Sequence, residues 1–389
     1  MKIVYVSLLD ASSFGGAGEH VFGVSNGLAK LGHEVHLIVG HSEPLSDTSF
    51  AHDKLNLHLV SYQGLSVFQT ADVLSGKALK LIEAVKPEIV YLRAFPLDIY
   101  FISRKLYKMG VPFVYELNAI TDAEYRSTGQ ALKGKVYTWF EGRTLALAAG
   151  WAPVTDEILK YALRVSSSNK PKPYFFARNG IDFDDAIADV SRADLRKDIG
   201  VSESKTVLIM AGFSRPWHGS DRAMKMVSLL KSEVELWLVG SPNEHVTKET
   251  LLLAKELGVY GSVRVFPWMN KQEMANMIGA ADIGISALAI DRQGMAEAEA
   301  LKTRLCLAMG LPVLVNHIDP GLDGSLPFVL NIISNDPNDL AIRVDKLIES
   351  KADFKDGARA YAREHFSWDV VAEETAEFMS QLIEKRDEV

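Results

Sequence analysis

The stretch DRQGMAEAEALKTRLCLAMGLPVLV, residues 291–315, contains a loop, a helix and a strand in close succession. The pattern predicts a helix that begins at about Glu297 or Glu299 and ends at Gly310, a common C-terminal cap. The apolar run PVLV that follows is typical of a buried parallel strand. A loop that leads into a helix N-terminus offers free backbone N–H groups and the positive end of the helix dipole, which suit a phosphate. Lys302 is predicted to lie in the first turn, so its ammonium could meet the same anion. The alternative is an ordinary strand–loop–helix–strand unit with a solvated lysine.

The composition is that of a globular protein with room for two domains. The chain has 389 residues, 48% of them hydrophobic and 24% charged. No apolar run reaches the roughly 18 residues that a membrane span requires, and the start MKIVYVSLL is interpreted as a first strand and not as a signal peptide. Cys306 is the single cysteine, which leaves no intrachain disulfide and favours a reducing, cytoplasmic compartment.

Charge is distributed unevenly along the chain. The net charge is -8, yet residues 1–180 hold 19 basic and 16 acidic residues, a net charge of +3, and the remainder carries -11. So acidic a chain is not expected to bind nucleic acid. The N-terminal half is the better candidate for contact with an anionic acceptor, or for peripheral contact with the inner face of a membrane.

The N-terminal segment has the pattern of a βαβ unit. A strand is followed by a glycine-rich loop containing Gly15 and Gly16, by a helix with apolar residues at helical spacing, and by the strand HEVHLIV. Glycines let a backbone approach a ligand closely. The loop lacks the G-x-G-x-x-G spacing, and no acidic residue ends the second strand, so a dinucleotide site is not favoured.

Polar residues follow a later strand of this half. Glu116 and Asn118 stand at the carboxyl end of the predicted strand 112–115, where open α/β sheets bind ligands, although they could equally cap a loop. Residues 129–149 form a candidate helix that mixes lysine, arginine and aromatic residues. This helix could touch an acceptor or lipid headgroups, or simply pack as an amphipathic helix.

The alternation of strands and helices restarts after a turn at NGID, residues 179–182. We therefore predict an α/β fold with two doubly wound, Rossmann-like domains facing a cleft. The predicted boundaries are residues 1–180 for the N-terminal domain and 181–366 for the C-terminal domain. Residues 367–389 are predicted to form a C-terminal helix that returns to the N-terminal domain, with Ser367 as its N-cap.

Five segments stand out along the chain, namely FGGAGEHVFGVSNGLAKLGHEVHLI (14–38), ARNGID (177–182), GFSRPWHG (212–219), VRVFPWMNKQEMANMIGAADIGISAL (263–288) and ALKTRLCLAMGLPVLV (300–315). In this order they resemble the GT-B glycosyltransferases of the large retaining group, known as family 4-like or group 1 glycosyltransferases. Each match is short, but together they extend over nearly the whole chain. The resemblance implies that the N-terminal domain receives the acceptor and the C-terminal domain binds the nucleotide sugar.

The resemblance also implies roles for individual residues. Arg215 and Lys302 would be the cations on the donor diphosphate, and Glu297 would lie near the sugar as a third catalytic residue. The resemblance also implies a set of donor-binding residues: Gly15, Gly16, His218, Trp268, Met269 and Leu301. Glu299 is added to this set because it could substitute for a glutamate of the family pattern that this chain lacks. A contact of His20 with donor or acceptor follows only from its place beside the glycine-rich loop, where it could instead cap or pack.

One position departs from the family pattern. The second glutamate of the family's pair, which holds the nucleotide ribose, would fall at position 305, where this chain has leucine. Leucine offers no acceptor to the ribose hydroxyls, so donor recognition is expected to change or weaken. The alternative is a catalytically degenerate protein that acts as a binding or partner subunit.

The expected function is transfer of a sugar from a UDP- or GDP-linked donor to an acceptor hydroxyl with retention of configuration. The resemblance implies no cofactor besides this co-substrate and no metal. It indicates polysaccharide or glycoconjugate synthesis, with a glycan, a lipid-linked molecule or a small molecule as the acceptor. A nicotinamide-dependent oxidoreductase and a sugar-nucleotide epimerase are less favoured interpretations of the same fold.

Overall fold

A computed structural model describes residues 1–12, 15–45, 50–93, 96–167, 171–183 and 187–387. The chain divides into two compact units. Unit 1 comprises Met1–Gly180 together with Trp368–Val389, and unit 2 comprises Ile181–Ser367.

Unit 1 contains a six-stranded parallel sheet. Its strands are β1 (Lys2–Asp10), β2 (Glu34–His41), β3 (Asn56–Ser61), β4 (Ile89–Arg93), β5 (Phe113–Leu117) and β6 (Gly150–Pro153), in the order β3-β2-β1-β4-β5-β6. The helices are α1 (Gly16–Lys30), α2 (Val67–Val85), α3 (Pro96–Met109), α4 (Thr121–Ser127), α5 (Ala131–Leu147) and α6 (Asp156–Ser166). The central strands are apolar over almost their whole length because helices cover both faces of such a sheet.

Unit 2 repeats this arrangement with a second six-stranded parallel sheet. Its strands are β7 (Thr206–Ala211), β8 (Val234–Ser241), β9 (Val263–Pro267), β10 (Ile283–Ile285), β11 (Val313–Val315) and β12 (Val329–Asn331), in the order β12-β11-β10-β7-β8-β9. The helices are α7 (Arg192–Ile199), α8 (Ser220–Val227), α9 (Glu244–Glu256), α10 (Lys271–Gly279), α11 (Leu301–Ala308), α12 (Pro337–Ser350) and α13 (Lys355–Phe366). The predicted doubly wound α/β class is confirmed for both units.

The last helix, α14 (Trp368–Asp387), packs against α1 of unit 1. Glycines on α1 permit this close approach. A Cβ atom on Gly23 would lie 2.1 Å from the Trp368 ring, and one on Gly27 would lie 2.6 Å from Cβ of Ala372. Met379 and Val371 of α14 are buried in the core that contains Val24 and Leu28. Within the described residues, no helix is both long enough and apolar enough to cross a bilayer.

Helix α11 begins at Leu301, so the predicted start at Glu297 or Glu299 is wrong. The residues before it are extended: the Ala298 amide donates to the Ile318 carbonyl at 3.0 Å, and the Ile318 amide donates to the Ala296 carbonyl at 2.9 Å. The local sequence AEAEALK favours a helix, but this bridge to residue 318 removes the backbone groups that a longer helix would use. Lys302 is consequently the second residue of α11.

Candidate functional site

The loop Gly212–Gly219 lies at the carboxyl end of β7, the position where parallel α/β sheets present ligands. Both end residues are glycines with positive φ, 66° at Gly212 and 75° at Gly219, a conformation that other residues adopt only with strain. A Cβ atom at Gly219 would also lie 3.1 Å from the amide nitrogen of Ala289. Pro216–His218 between them form a single 3-10 turn.

Two arginine–aspartate pairs fasten this loop and α8 to the segment around residue 291. Arg222 donates to both carboxylate oxygens of Asp291 at 2.7 and 2.8 Å. Arg292 donates to both oxygens of Asp221 at 2.9 and 2.7 Å, and also to the Pro216 carbonyl at 2.7 Å. Because each pair is bidentate, it fixes orientation as well as distance. The loop is thus held in a set shape by side chains outside it.

Lys302 reaches from α11 to this loop. Its ammonium donates to the Gly212 carbonyl at 2.5 Å. The side chain is half-buried, and burial lowers the pKa of Lys302 to about 7. Removing an ammonium from water disfavours its charged form, so this lysine lacks a partner strong enough to keep it fully charged at neutral pH.

His218 lies close enough to Lys302 and Arg215 for both positive charges to act on its imidazole. Burial, together with the positive charges of Lys302 and Arg215, lowers the pKa of His218 to about 3. The imidazole is therefore neutral, and the Arg215 amide donates to its Nδ1 at 3.5 Å, which assigns the remaining proton to Nε2. The Arg215 side chain is exposed, with its guanidinium 5.8 Å from the centre of the Trp217 ring. Arg215, His218 and Lys302 thus gather at one loop, and together they can offer charge and N–H donors to an anion.

Other residues predicted for the donor site also belong to unit 2. Leu301 is the first residue of α11 and is half-buried, and Glu297 is half-buried in the bridge to residue 318. Trp268 follows β9 with its side chain 66% exposed, whereas Met269 packs against the hydrophobic core. The exposed indole is the more accessible of the two to a nucleobase.

Glu299 is held in a buried ion cluster. Its side chain is 1% exposed, with Oε1 3.3 Å from Nη2 of Arg304. Arg304 also forms a bidentate pair with Asp319, one contact of which measures 2.7 Å, and its guanidinium lies 4.4 Å from the centre of the Phe366 ring. Burial alone would lower the pKa of Arg304, but the two carboxylates raise it. Glu299 therefore anchors α11, and the structure gives no support to its predicted contact with a donor.

Leu305 lies on the same helix and packs, half-buried, against the hydrophobic core of unit 2. An apolar side chain suits this environment, which explains how the helix accommodates the departure from the family pattern. Leucine offers no hydrogen-bond acceptor at position 305.

Unit 1 contains a separate polar cluster around Glu116 at the end of β5. The Glu116 carboxylate is buried; its Oε2 lies 3.2 Å from Nε2 of His20, and its Oε1 accepts from Nε of Arg93 at 2.7 Å. Burial would raise the pKa of Glu116, but His20 and Arg93 outweigh it and lower the pKa to about 2. His20 Nδ1 in turn lies 3.0 Å from Oδ1 of Asn179. Asn118, with its amide oriented to satisfy its neighbours, donates to Glu116 at 2.7 Å and accepts from Arg93 at 3.1 Å.

This cluster borders a cavity of about 320 Å³ in unit 1. The lining includes Arg93, Glu116 and Asn118, together with Tyr125 and a second buried carboxyl, Glu141 of α5. A cavity of this size at the carboxyl ends of β1, β4 and β5 suits one small ring or a chain end. The predicted residues His20, Glu116 and Asn118 are therefore brought together. The glycines Gly15 and Gly16 lie at the exposed start of α1, as its N-cap and first residue.

Sequence reasoning missed Glu141. Oε1 of its side chain accepts from the Tyr115 hydroxyl at 3.2 Å and Oε2 from the Tyr161 hydroxyl at 2.5 Å. Burial raises the pKa of Glu141 to about 7, although these hydroxyls and Thr121 oppose the rise. An acidic residue at a core position of a predicted helix was the available signal. The arginine–aspartate pairs beside the loop Gly212–Gly219 gave no such signal, because nothing in the local sequence specifies which charged residues pair.

Two family models match the chain in succession. The model for Glycosyltransferase Family 4 matches residues 14–185, and the model for Glycosyl transferases group 1 matches residues 191–365. Together these ranges include most of the chain. The protein therefore belongs to the GT-B glycosyltransferases, with a family 4 N-terminal half and a group 1 C-terminal half. No curated protein gives a sequence match.

Solved structures share this fold at low sequence identity. Sucrose-phosphate synthase from Thermosynechococcus elongatus is similar with a TM-score of 0.78 and 15% identity, covering 99% of both chains. HepE of Anabaena, in complex with UDP and glucose, has a TM-score of 0.74 and 16% identity, covering 98% of this chain and 100% of its own. The catalytic domain of starch synthase IV from Arabidopsis thaliana, bound to ADP and acarbose, has a TM-score of 0.69 and 14% identity, covering 98% and 99%.

Proposed function

We propose that this protein transfers a sugar from a nucleoside-diphosphate sugar to an acceptor hydroxyl, with retention of configuration and without a metal ion. The observation that carries the proposal is the group formed by Arg215, His218 and Lys302 at the loop Gly212–Gly219, which we call the donor loop. The leaving group of such a transfer is a diphosphate, whose developing negative charge must be stabilised as the glycosidic bond breaks. Two cations and a neutral imidazole N–H meet that requirement. The UDP and ADP held by the similar structures agree with it.

Each member of the group has a defined task in this proposal. Arg215 is exposed and always charged, so it forms ion pairs with the diphosphate through several N–H donors. Lys302 becomes fully charged when the diphosphate arrives, because an opposite charge favours the ammonium. His218 donates through Nε2 without adding charge. The first amides of α11 add the positive end of the helix dipole.

The acceptor is proposed to bind in the cavity of unit 1, beside Glu116 and Asn118. Hydroxyl groups of a glycan, of a lipid-linked sugar or of a small glycoside would find carboxylate, amide and guanidinium partners there. We place the protein in the cytoplasm or at the inner face of a membrane, with unit 1 as the peripheral contact, and its product in polysaccharide or glycoconjugate synthesis.

The proposal is tested by replacing the two cations. Arg215→Ala and Lys302→Ala should each lower the rate of donor turnover about 100-fold, corresponding to about 2.7 kcal/mol of lost transition-state stabilisation. Lys248→Ala, which removes an exposed cation of α9 in the same unit, is the matched control and should leave the rate unchanged. Losses below about tenfold in both cation variants would refute the assignment.

The proposal that no metal ion is required is tested with a chelator. We expect turnover of the donor to persist in excess chelator, and a strict requirement for a metal ion would contradict this part of the proposal.

A second candidate is favoured by Leu305. With that side chain packed in the core, ribose lacks the acceptor that the family pattern provides, and the protein could be a binding or partner subunit without turnover. Thermal-shift screening with UDP, GDP and ADP separates the two, because a bound ligand raises the melting temperature by mass action. No shift with any of the three would favour the partner subunit. A shift with UDP or GDP supports the transferase and identifies the base.

A further inference from the structure

A row of aromatic rings crosses two neighbouring helices of unit 1, α3 and α5. Phe101 and Tyr100 of α3 have ring centres 5.8 Å apart, Tyr100 and Phe140 of α5 are 5.3 Å apart, and Phe140 and Trp139 are 4.8 Å apart. We call these four residues the aromatic ridge. Its rings form a continuous chain of contacts, so the two helices present one surface and not two separate ones.

Much of this surface is exposed. Phe101 is 56% and Trp139 53% exposed at the two ends of the aromatic ridge. Leu132 and Val136, 78% and 47% exposed, precede Trp139 on α5 at helical spacing, so the three lie along one face of that helix. Large apolar side chains grouped in this way are uncommon on a surface that faces only water, and they typically mark a contact site.

Exposed basic side chains of α3 and α5 lie on the same two helices as the aromatic ridge. Among the described side chains of α3 and α5, the exposed ionic groups are all basic: Arg104, Lys105, Lys108, Lys133, Lys135 and Arg143. The Arg143 guanidinium lies 3.8 Å from the centre of the Trp139 ring, and that of Arg104 lies 5.7 Å from the centre of the Tyr100 ring. Lys105 pairs with Glu83 of α2, and Glu141, the described carboxyl of α5, is buried. The surface therefore alternates apolar groups with positive charge.

We propose that the aromatic ridge, with Leu132 and Val136, docks on a lipid bilayer that contains anionic lipids. Aromatic rings prefer the boundary between headgroups and acyl chains, and lysine and arginine stems extend along apolar surface while their charges reach the phosphates. The aliphatic Leu132 and Val136 offer nothing to the hydroxyls of a sugar, which favours acyl chains over a glycan. This inference specifies the membrane contact of the proposed function, and the donor loop of unit 2 takes no part in it.

The test is flotation of the full chain with vesicles of phosphatidylcholine, with and without phosphatidylglycerol. Binding is expected only to the vesicles with phosphatidylglycerol and should fall as salt is raised. Lys133→Gln combined with Lys135→Gln should weaken binding by roughly fivefold per charge removed. Trp139→Ala and Leu132→Ser should each weaken it by about tenfold. The control, Leu252→Ser, alters an exposed leucine of α9 in unit 2 and should have no effect.

The docking proposal would be overturned by no flotation with either vesicle, by equal flotation with both, or by variants that float as the unaltered chain does. Binding of a soluble neutral oligosaccharide through Trp139, without vesicle binding, would also overturn it and assign the surface to glycans. A thermal shift with nucleotides, measured on the same samples, separates this outcome from a failure of the proposed transferase function. A chain that binds nucleotide but not vesicles refutes only the docking surface.

Discussion

Lys302 is subject to two opposing effects, burial and the charge of its ligand. Burial brings its pKa to about 7 in the empty site, whereas a diphosphate would raise that pKa again. At any pH at which the amine of Lys302 is neutral before the nucleotide binds, binding must therefore be accompanied by uptake of a proton by Lys302. Nucleoside-diphosphate affinity should therefore be constant below about pH 7 and fall as the pH rises above it.

Calorimetry from pH 6 to pH 9 in buffers of different ionisation enthalpy measures this proton uptake directly. In Lys302→Met the pH dependence should be absent and the affinity low throughout. If affinity for UDP or GDP does not change up to pH 9 in the unaltered chain, Lys302 does not contact the diphosphate.

Glu141 gives a second prediction for a single side chain. Its pKa of about 7 in the folded protein lies above the value of about 4.3 for a glutamate in water, so the folded state binds this proton more tightly than the unfolded state does. Its contribution to stability is fully present below about pH 4.3 and is lost as the pH rises to 7. The loss amounts to about 4 kcal/mol at most.

Urea unfolding as a function of pH measures the contribution of Glu141 to stability. Between about pH 4.3 and pH 7, the free energy of unfolding of Glu141→Gln should fall less than that of the unaltered chain. Glu384→Gln, at an exposed position of α14 in the same unit, serves as the control. Equal slopes in all three proteins would show that Glu141 is ionised when folded.

At the scale of elements, the donor loop depends on the pairs that fasten it. Arg292 bonds both the Pro216 carbonyl and Asp221, so Arg292→Ala frees the 3-10 turn that carries His218. We expect nucleotide affinity to fall by about tenfold, because the free loop must be ordered on binding. The melting temperature should change little, since partly exposed ion pairs contribute about 1 kcal/mol or less. Calorimetry and thermal melts measure the two effects; a large loss of stability with unchanged affinity would make Arg292 a purely structural residue.

The elements also show how far a sequence can be interpreted. Strands such as β1 and β7 are mostly apolar and are predicted well, because burial on both faces leaves a strong local signal. The start of α11 is predicted wrongly, since the bridge between residues 297 and 318 lies outside any local window. The site follows the same rule: Arg215 and Lys302 are found through motifs, whereas the Glu299–Arg304 pair depends on the folded arrangement.

At the scale of the whole molecule, the chain builds the same parallel sheet twice, and α14 completes unit 1 from the far end of the sequence. That return depends on Gly23, where an added Cβ would lie 2.1 Å from the Trp368 ring. Gly23→Ala should destabilise unit 1 by about 1–3 kcal/mol, because the Trp368 ring must move. Gly76→Ala in α2 is the matched control: it faces open space and should be neutral or slightly stabilising. Urea unfolding of both variants checks the contrast, and equal stabilities would show that α14 does not need this contact.

The central claim is that Arg215, His218 and Lys302 bind a nucleotide's diphosphate. A crystal structure of the full chain grown with UDP or GDP tests it most directly. We predict phosphate oxygens within about 3 Å of the Arg215 guanidinium, the His218 Nε2 and the Lys302 ammonium, with the Lys302–Gly212 contact lengthened or replaced. A nucleotide bound elsewhere, with Lys302 still donating to Gly212 and the loop empty, would contradict the account.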